Sequence, residues 1–170
     1  KDSDNKIIGV VLVFRDQTDE RNNEKTLLES NEKFSKIFNS SSDSISLTKI
    51  NNGEIVECNE GFEKMFGYNK NEIIGKSAIE VGLWDKVEER IQIVQLLKSN
   101  GHVRNFEATG KRKNGKLFTG LLSGEIVKID NETLILLTVR DISERKEFEQ
   151  TLKSNEEKYR MLLDFASDAF

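Results

Sequence analysis

The two ends of this chain repeat each other. Arg15-Asp16 recurs as Arg140-Asp141, Thr26-Leu27 as Thr151-Leu152, Glu32-Lys33 as Glu157-Lys158 and Ser42-Asp43 as Ser167-Asp168, every pair offset by 125 positions without a gap. Between these anchors the substitutions are mild: Thr18 with Ser143, Asp19 with Glu144, Arg21 with Lys146, Phe34 with Tyr159, Ile37 with Leu162. Charged amphipathic helices often look alike, but these matches continue beyond the helical segment on both sides. The chain therefore reads as a slice of a tandem array: the end of one unit, one whole unit, and the start of a third.

At 170 residues there is room for one ordinary domain plus extensions. With 26 basic against 30 acidic residues the chain has no global positive field to hold a phosphate backbone, so nucleic acid is not an expected ligand. A single Cys forbids an intrachain disulfide and cannot build a four-ligand zinc site, which fits a reducing compartment. No apolar run approaches the roughly 18 to 20 residues that cross a bilayer, and Lys1-Asp2-Ser3-Asp4 does not open a signal peptide. The expectation is a soluble, cytoplasmic stretch, with any membrane anchor elsewhere.

Residues 7–14 form a β-branched apolar run and read as a strand, the last of a preceding unit. From Thr18 to about Asn39 the pattern is helical, with Leu27, Phe34 and Ile37 at heptad-like spacing. The equivalent stretch from 143 to about 163 places Phe148, Leu152, Tyr159 and Leu162 on one seam, with Asn155 as its polar member. Between these helices, Ile45 to Ile50 and Glu54 to Cys58 flank Asn51-Asn52-Gly53, a hairpin signal. Asn59 opens a short helix through Phe62, Met65 and Phe66, closed by Gly67; Asn69 or Asn71 starts another turn, ended by Gly75. Residues 85–99 make the longest helix of the unit, with Val87, Ile91, Val94 and Leu97 on one face. Strands at 102–112, 116–128 and 132–141, joined by Asn114-Gly115 and Asp130-Asn131, form a meander. Two early and three late strands can form one five-stranded antiparallel sheet with helices over one face, an α+β fold. Leu134 to Val139 is apolar on both faces, so the outer face also needs a cover.

These residues resemble a PAS domain, the sensory module of bacterial and archaeal signalling proteins, over roughly Glu32 to Ser143. Ser42-Asp43-Ser44-Ile45 resembles the family's approach to its first strand, and Glu54 to Phe62 its second strand and Asn-capped helix. Phe66-Gly67-Tyr68 followed by Glu72-Ile73-Ile74-Gly75-Lys76 is the most readable stretch, and Lys113-Asn114-Gly115-Lys116 resembles the long hairpin. Arg140-Asp141-Ile142-Ser143-Glu144-Arg145-Lys146 is similar to the Asp-Ile-Thr exit motif that leads into a signalling helix. On this resemblance the chain divides into the last strand of a preceding PAS domain (1–17), a linker helix (18–39), a complete PAS domain (40–143), a second linker helix (144–163) and the start of a following PAS domain (164–170). Asp16-Gln17-Thr18 is the exit motif of the preceding domain, with Gln17 where the family has an aliphatic residue.

The resemblance leaves the cofactor unknown. Haem-binding relatives use a His on the long helix, and none lies between Asp85 and Asn100; His102 reads as a strand residue. Flavin relatives that form a cysteinyl adduct carry an Asn-Cys-Arg-Phe-Leu type helix motif, which is absent, and Cys58 reads as a small core residue. Gly120-Leu121-Leu122-Ser123-Gly124 has its Ser one place off a nucleophile elbow, no phosphate loop occurs, and no metal site or catalytic group is expected. A curved sheet under short helices leaves a concavity, and Met65, Phe66, Ile79, Trp84, Phe106, Phe118 and Leu122 are the candidates for its wall, with Asn105 and Thr119 as polar contacts.

The repeated strand-to-helix junction, Asp16 with Thr18 and Asp141 with Ser143, carries the most functional information. An Asp and a hydroxyl there can bond backbone groups or a neighbouring Arg and hold the helix at a fixed angle to the sheet. Three readings compete: a ligand-responsive sensor, a ligand-free dimerisation and spacer module, and a cofactor-bound redox or gas sensor. The heptad-like seams point to a homodimer and the expected concavity to a small-molecule ligand, while the resemblance implies neighbouring PAS domains and an effector such as a histidine kinase or cyclic-dinucleotide enzyme outside these residues.

Overall fold

The computed structural model describes residues 18–167. The strand expected at 7–14, the junction residue Asp16, and Asp168 onward lie outside the described residues. The described elements run α1 (Thr18–Ser40), β1 (Ser44–Lys49), β2 (Ile55–Cys58), α2 (Glu60–Phe66), α3 (Lys70–Ile73), α4 (Val87–Asn100), β3 (His102–Lys111), β4 (Leu117–Ile129), β5 (Glu132–Asp141) and α5 (Ser143–Ser167). The chain divides after Ile37, and the part from Phe38 onward carries the sheet, the short helices and α5. Among the described residues no helix is long and apolar enough to cross a membrane.

The five strands form one antiparallel sheet in the order β2-β1-β5-β4-β3. The architecture is the expected α+β one. Turn chemistry explains the hairpins: Asp130 and Asn131 both adopt positive φ (48° and 66°), which polar side chains tolerate and which matches the twist of the flanking strands. Gly115 (φ 82°) closes the β3–β4 connection, where the Lys116 amide donates to Asn114 Oδ1 at 3.0 Å.

One buried residue ties the opening of this unit together. Asn59 caps α2 by accepting from the Phe62 amide (2.9 Å) and from the Ile45 amide (2.8 Å), while its amide group donates to the carbonyls of Asp43 (3.0 Å) and Phe38 (3.1 Å). Two donors and two accepting directions are all an Asn side chain has, so it is fully satisfied at 1% exposure. Gly61 follows because the Asp43 and Ser41 carbonyls approach so closely that a Cβ there would stand 2.8 Å from the Ser41 oxygen.

The long helix differs from its expected face. Val87 and Ile91 are exposed, and the inward stripe is Arg90, Ile93, Val94 and Leu97, with Ile93 and Leu97 buried. Both sets have helical spacing, i, i+4, i+7, i+10 for the expected face and i, i+3, i+4, i+7 for the observed one, and they share Val94 and Leu97. What the apolar pattern could not reveal is that one member of the stripe is an arginine. The helix also starts at Val87 rather than Asp85, whose amide donates to the Thr109 carbonyl at 3.1 Å and so belongs to the approach along β3.

Strand β1 is inverted relative to a usual core strand. Ser44 and Ser46 are buried beneath the helices, while Ile45 and Leu47 between them take the opposite face. A row of hydroxyls thus faces the interior.

Candidate functional site

The inward faces of all five strands, β2 through Ile55, and the helices above them enclose a cavity of about 70 Å³. Alternate residues point into it: Ser44, Ser46 and Thr48 from β1, Ala108 and Gly110 from β3, Phe118, Gly120 and Leu122 from β4, Ile135, Leu137 and Val139 from β5. Helix α4 contributes Arg90, Ile93, Val94 and Leu97. About 10–15 Å³ admits one water, so the space exceeds a packing defect.

Of the candidates for this wall, Phe66, Trp84, Phe118 and Leu122 line the cavity. Phe66 packs on Phe118 edge to face, with ring centroids 5.5 Å apart. The other five lie off it. Ile79 is 42% exposed on the segment between α3 and α4. Met65 and Phe106 pack against the margin of the core. Asn105 sits at an irregularity in the β3–β4 pairing with φ 52°, its amide donating to Ser123 Oγ at 3.2 Å, and is exposed. Thr119 falls between the inward residues Phe118 and Gly120, and its main chain serves the junction instead.

At that junction β5 passes into α5. The Thr119 amide donates to Ser143 Oγ (2.9 Å), the Ile142 amide donates to the Thr119 carbonyl (2.9 Å), and the Ser143 amide donates to Asp141 Oδ1 (2.9 Å). The Arg112 guanidinium pairs with Asp141 Oδ2 and donates to the Met65 carbonyl, and it lies 4.6 Å from the centroid of Phe118. Burial alone pushes the Asp141 carboxyl up, but hydrogen bonds from Ser143 together with the charge and hydrogen bond of Arg112 outweigh it and hold the group below the ordinary aspartate range. Lys146, one turn into α5, pairs with Glu107 of β3 at 2.8 Å. Thr18 is the first residue of α1, and its side chain lies outside the described residues.

The seam residues are all exposed. On α1 these are Leu27, Phe34 and Ile37; on α5 they are Phe148, Leu152, Asn155, Tyr159 and Leu162, with Met161 and Leu163 exposed beside them. Cys58 is buried, and burial pushes its thiol up to about 11. His102 is exposed at the start of β3. Among the described residues no group of His, Cys, Asp and Glu is arranged to hold a metal ion.

Sequence reading missed Arg90, Arg112 and the hydroxyls of β1. The signals were present: an Arg in register with Ile93, Val94 and Leu97, and a strand whose polar positions alternate as regularly as its apolar ones.

The family model described as PAS domain matches residues 42–144. Sensor protein TdiS of Thauera aromatica is 29% identical over 126 residues, covering 70% of this chain and 22% of that protein. Sporulation kinase E of Bacillus subtilis is 26% identical over 156 residues, covering 92% of this chain and 20% of that protein. The chain thus spans about a fifth of these curated relatives. The crystal structure of the PAS domain of an HTR-like protein from Haloarcula marismortui superposes with a TM-score of 0.60 at 26% identity, over 72% of this chain and 99% of that one.

Proposed function

Since this chain belongs to the PAS domain family, we propose that it is the sensory and relay module of a larger prokaryotic signalling protein, a sensor histidine kinase in the first instance. Relatives named as a sensor protein and a sporulation kinase support this reading, as does the 125-residue repeat, which fits one whole PAS unit within a tandem array. In this reading the catalytic chemistry belongs to an effector in the rest of the protein, on the cytoplasmic side.

The observation that carries the proposal is the continuity between cavity and helix. Phe118 lines the cavity, Arg112 lies over Phe118, and Arg112 grips Asp141, whose other oxygen receives the first amide of α5. A ligand that moves Phe118 therefore acts on the anchor of α5 through two contacts. It biases two helix arrangements only by its differential affinity for them. The Asp141→Ala variant of the full-length protein should keep its fold and lose the response of its effector to the signal. An unchanged response would overturn the relay.

The exposed heptad stripe on α5 favours a second element of the reading, in which α5 pairs with its counterpart in a homodimer and Asn155 fixes the register. Native mass spectrometry separates the alternatives. Retained extra mass that disappears on denaturation supports a ligand sensor, and a bare dimer supports a ligand-free spacer and dimerisation module.

A further inference from the structure

Three polar side chains are buried among the described residues: Asn59, Ser44 and Ser46. Asn59 fills all four of its hydrogen-bonding directions, whereas the two serines fill none. Ser44 is 1% exposed and its Oγ has no partner among the described residues; Ser46, 4% exposed, makes no side-chain hydrogen bond there either. Buried hydroxyls in native proteins are almost always paired, so two exceptions on one strand call for a partner that the chain does not supply. Both line the cavity. Neither can turn away from it, because Asn59 holds the Asp43 carbonyl and the Ile45 amide on either side of Ser44, and β1 is laddered to β2 and β5 around Ser46.

The surroundings of the two hydroxyls restrict what that partner can be. Across the sheet Ser44 faces Val139 and Ser46 faces Leu137, and Leu122 stands beside Val139, all three lining the cavity. The one charged residue of the lining among the described residues, Arg90, packs against Gly53 at the β1–β2 hairpin, the far end of β1 from Ser44. A charged group at the serines would be buried without a counter-charge, which is costly. Each serine carries one O–H that needs an acceptor. An alcohol or an amide would bring a further donor to a wall whose hydroxyls are themselves short of acceptors, while a carbonyl brings acceptor capacity alone. Same-face residues of a strand stand about 6–7 Å apart, and two O–H···O bonds to one oxygen span about 5.5 Å, a difference that rotation at each serine χ1 can close.

Resting on the reading of this cavity as a ligand pocket, we propose that it binds a small uncharged carbonyl compound, a short ketone in the simplest case, with the carbonyl oxygen between Ser44 and Ser46 and the alkyl body against Leu122, Leu137 and Val139. At roughly 10–15 Å³ for each water-sized group, a cavity of about 70 Å³ admits about five to seven non-hydrogen atoms. Ser44 follows Asp43 directly, and its pair partner Val139 stands two residues before Asp141, so the occupant sits at the end of the sheet where α5 is anchored.

The test is an NMR titration of the 170-residue chain with methyl ethyl ketone, with its isosteric alkene carrying a methylene in place of the oxygen, with the alcohol formed by reducing it, and with butyrate. Tighter binding of the ketone than of the alcohol and butyrate, and a ketone-to-alkene preference that falls about tenfold in Ser44→Ala and in Ser46→Ala, support the proposal. Near-ultraviolet circular dichroism of both variants checks that the fold persists, and the comparison among the four probes in the unaltered protein does not depend on them. Equal or tighter binding of the alcohol or of butyrate overturns the carbonyl assignment and leaves the pocket reading standing. A ketone-to-alkene preference unchanged in either variant overturns the shared oxygen site. No binding of any probe overturns the assignment and the small-ligand pocket together.

Discussion

Arg140 and Asp43 meet across the start of β1 and the end of β5, with Nη2 2.7 Å from Oδ2 and Nε 3.1 Å from both carboxylate oxygens. Both belong to the motifs that recur 125 positions away, so the two repeated motifs of the whole unit are each other's partners. Asp43 holds the Arg140 guanidinium above its ordinary range through this hydrogen bond and charge. Because Arg140 is exposed, the pair is open to screening. Arg140→Ala should lower the melting temperature at low salt, and its difference from the parent should shrink near 1 M NaCl, where the screening length is about 3 Å. A salt-independent difference would show that the ion pair is not what the variant removes.

Asp141→Ala strips the partner from Arg112, whose side chain is largely withdrawn from solvent. Losing a charged hydrogen bond of this kind costs on the order of 1–3 kcal/mol. At roughly 4–8 °C per kcal/mol for a domain of this size, thermal melting should reveal the loss while far-ultraviolet circular dichroism keeps its shape. An unshifted transition would mean that the pair contributes no net stability.

The same carboxylate gives a pH dependence whose sign follows from its depressed ionisation. Asp141 titrates lower in the folded chain than in the unfolded one, so its contribution is complete above the ordinary value of 3.8 and is lost as pH falls through the lower folded value. The stability difference between the parent and Asp141→Asn should therefore be constant near neutrality and narrow progressively in acid below that value. Urea titrations at a series of pH values check this, and a gap that widens in acid would reverse the assignment.

Asn59→Ala removes four hydrogen bonds at once, and four backbone groups from Phe38 to Phe62 lose a partner. The expected cost is about 2–4 kcal/mol, since an N-cap and buried polar groups are lost together. Hydrogen exchange should accelerate first at the Ile45 and Phe62 amides. Uniform exchange across the chain would contradict a local clamp.

Cys58 should be unreactive in the native state. Its thiol is buried and pushed to about 11, so almost no thiolate is present near pH 8. A disulfide reagent at that pH should label it only as fast as the chain opens. Labelling within seconds without denaturant would contradict this burial.

The fold was legible in the sequence where local chemistry acts alone. Asn59, Gly67 and the Asp130-Asn131 turn declare their backbone conformations by residue type, and strand alternation supplies the rest of the sheet. The cavity was half legible for a physical reason. Strand parity fixes which of Phe118 and Thr119 points inward only when the register is known, and the irregularity beside Asn105 shifts that register within β3. Arg90 was hidden because apolar periodicity marks a buried face by its hydrophobic members. Val87 and Ile91 imitate that face, whereas the stripe packed inward carries a charge. Arg112 was hidden differently: its partners Met65 and Asp141 are 47 and 29 residues away, and no local pattern joins them.

The central claim is that the cavity and α5 are coupled through Arg112 and Asp141. Ala108→Val adds bulk to the cavity wall without a ligand, and hydrogen exchange at the Ser143 and Lys146 amides reads the far end. The coupling predicts that Ala108→Val alters exchange at these amides in the parent chain and leaves them unchanged when Arg112→Met is also present. Identical exchange in the parent and Ala108→Val, or a change that persists without Arg112, would contradict it.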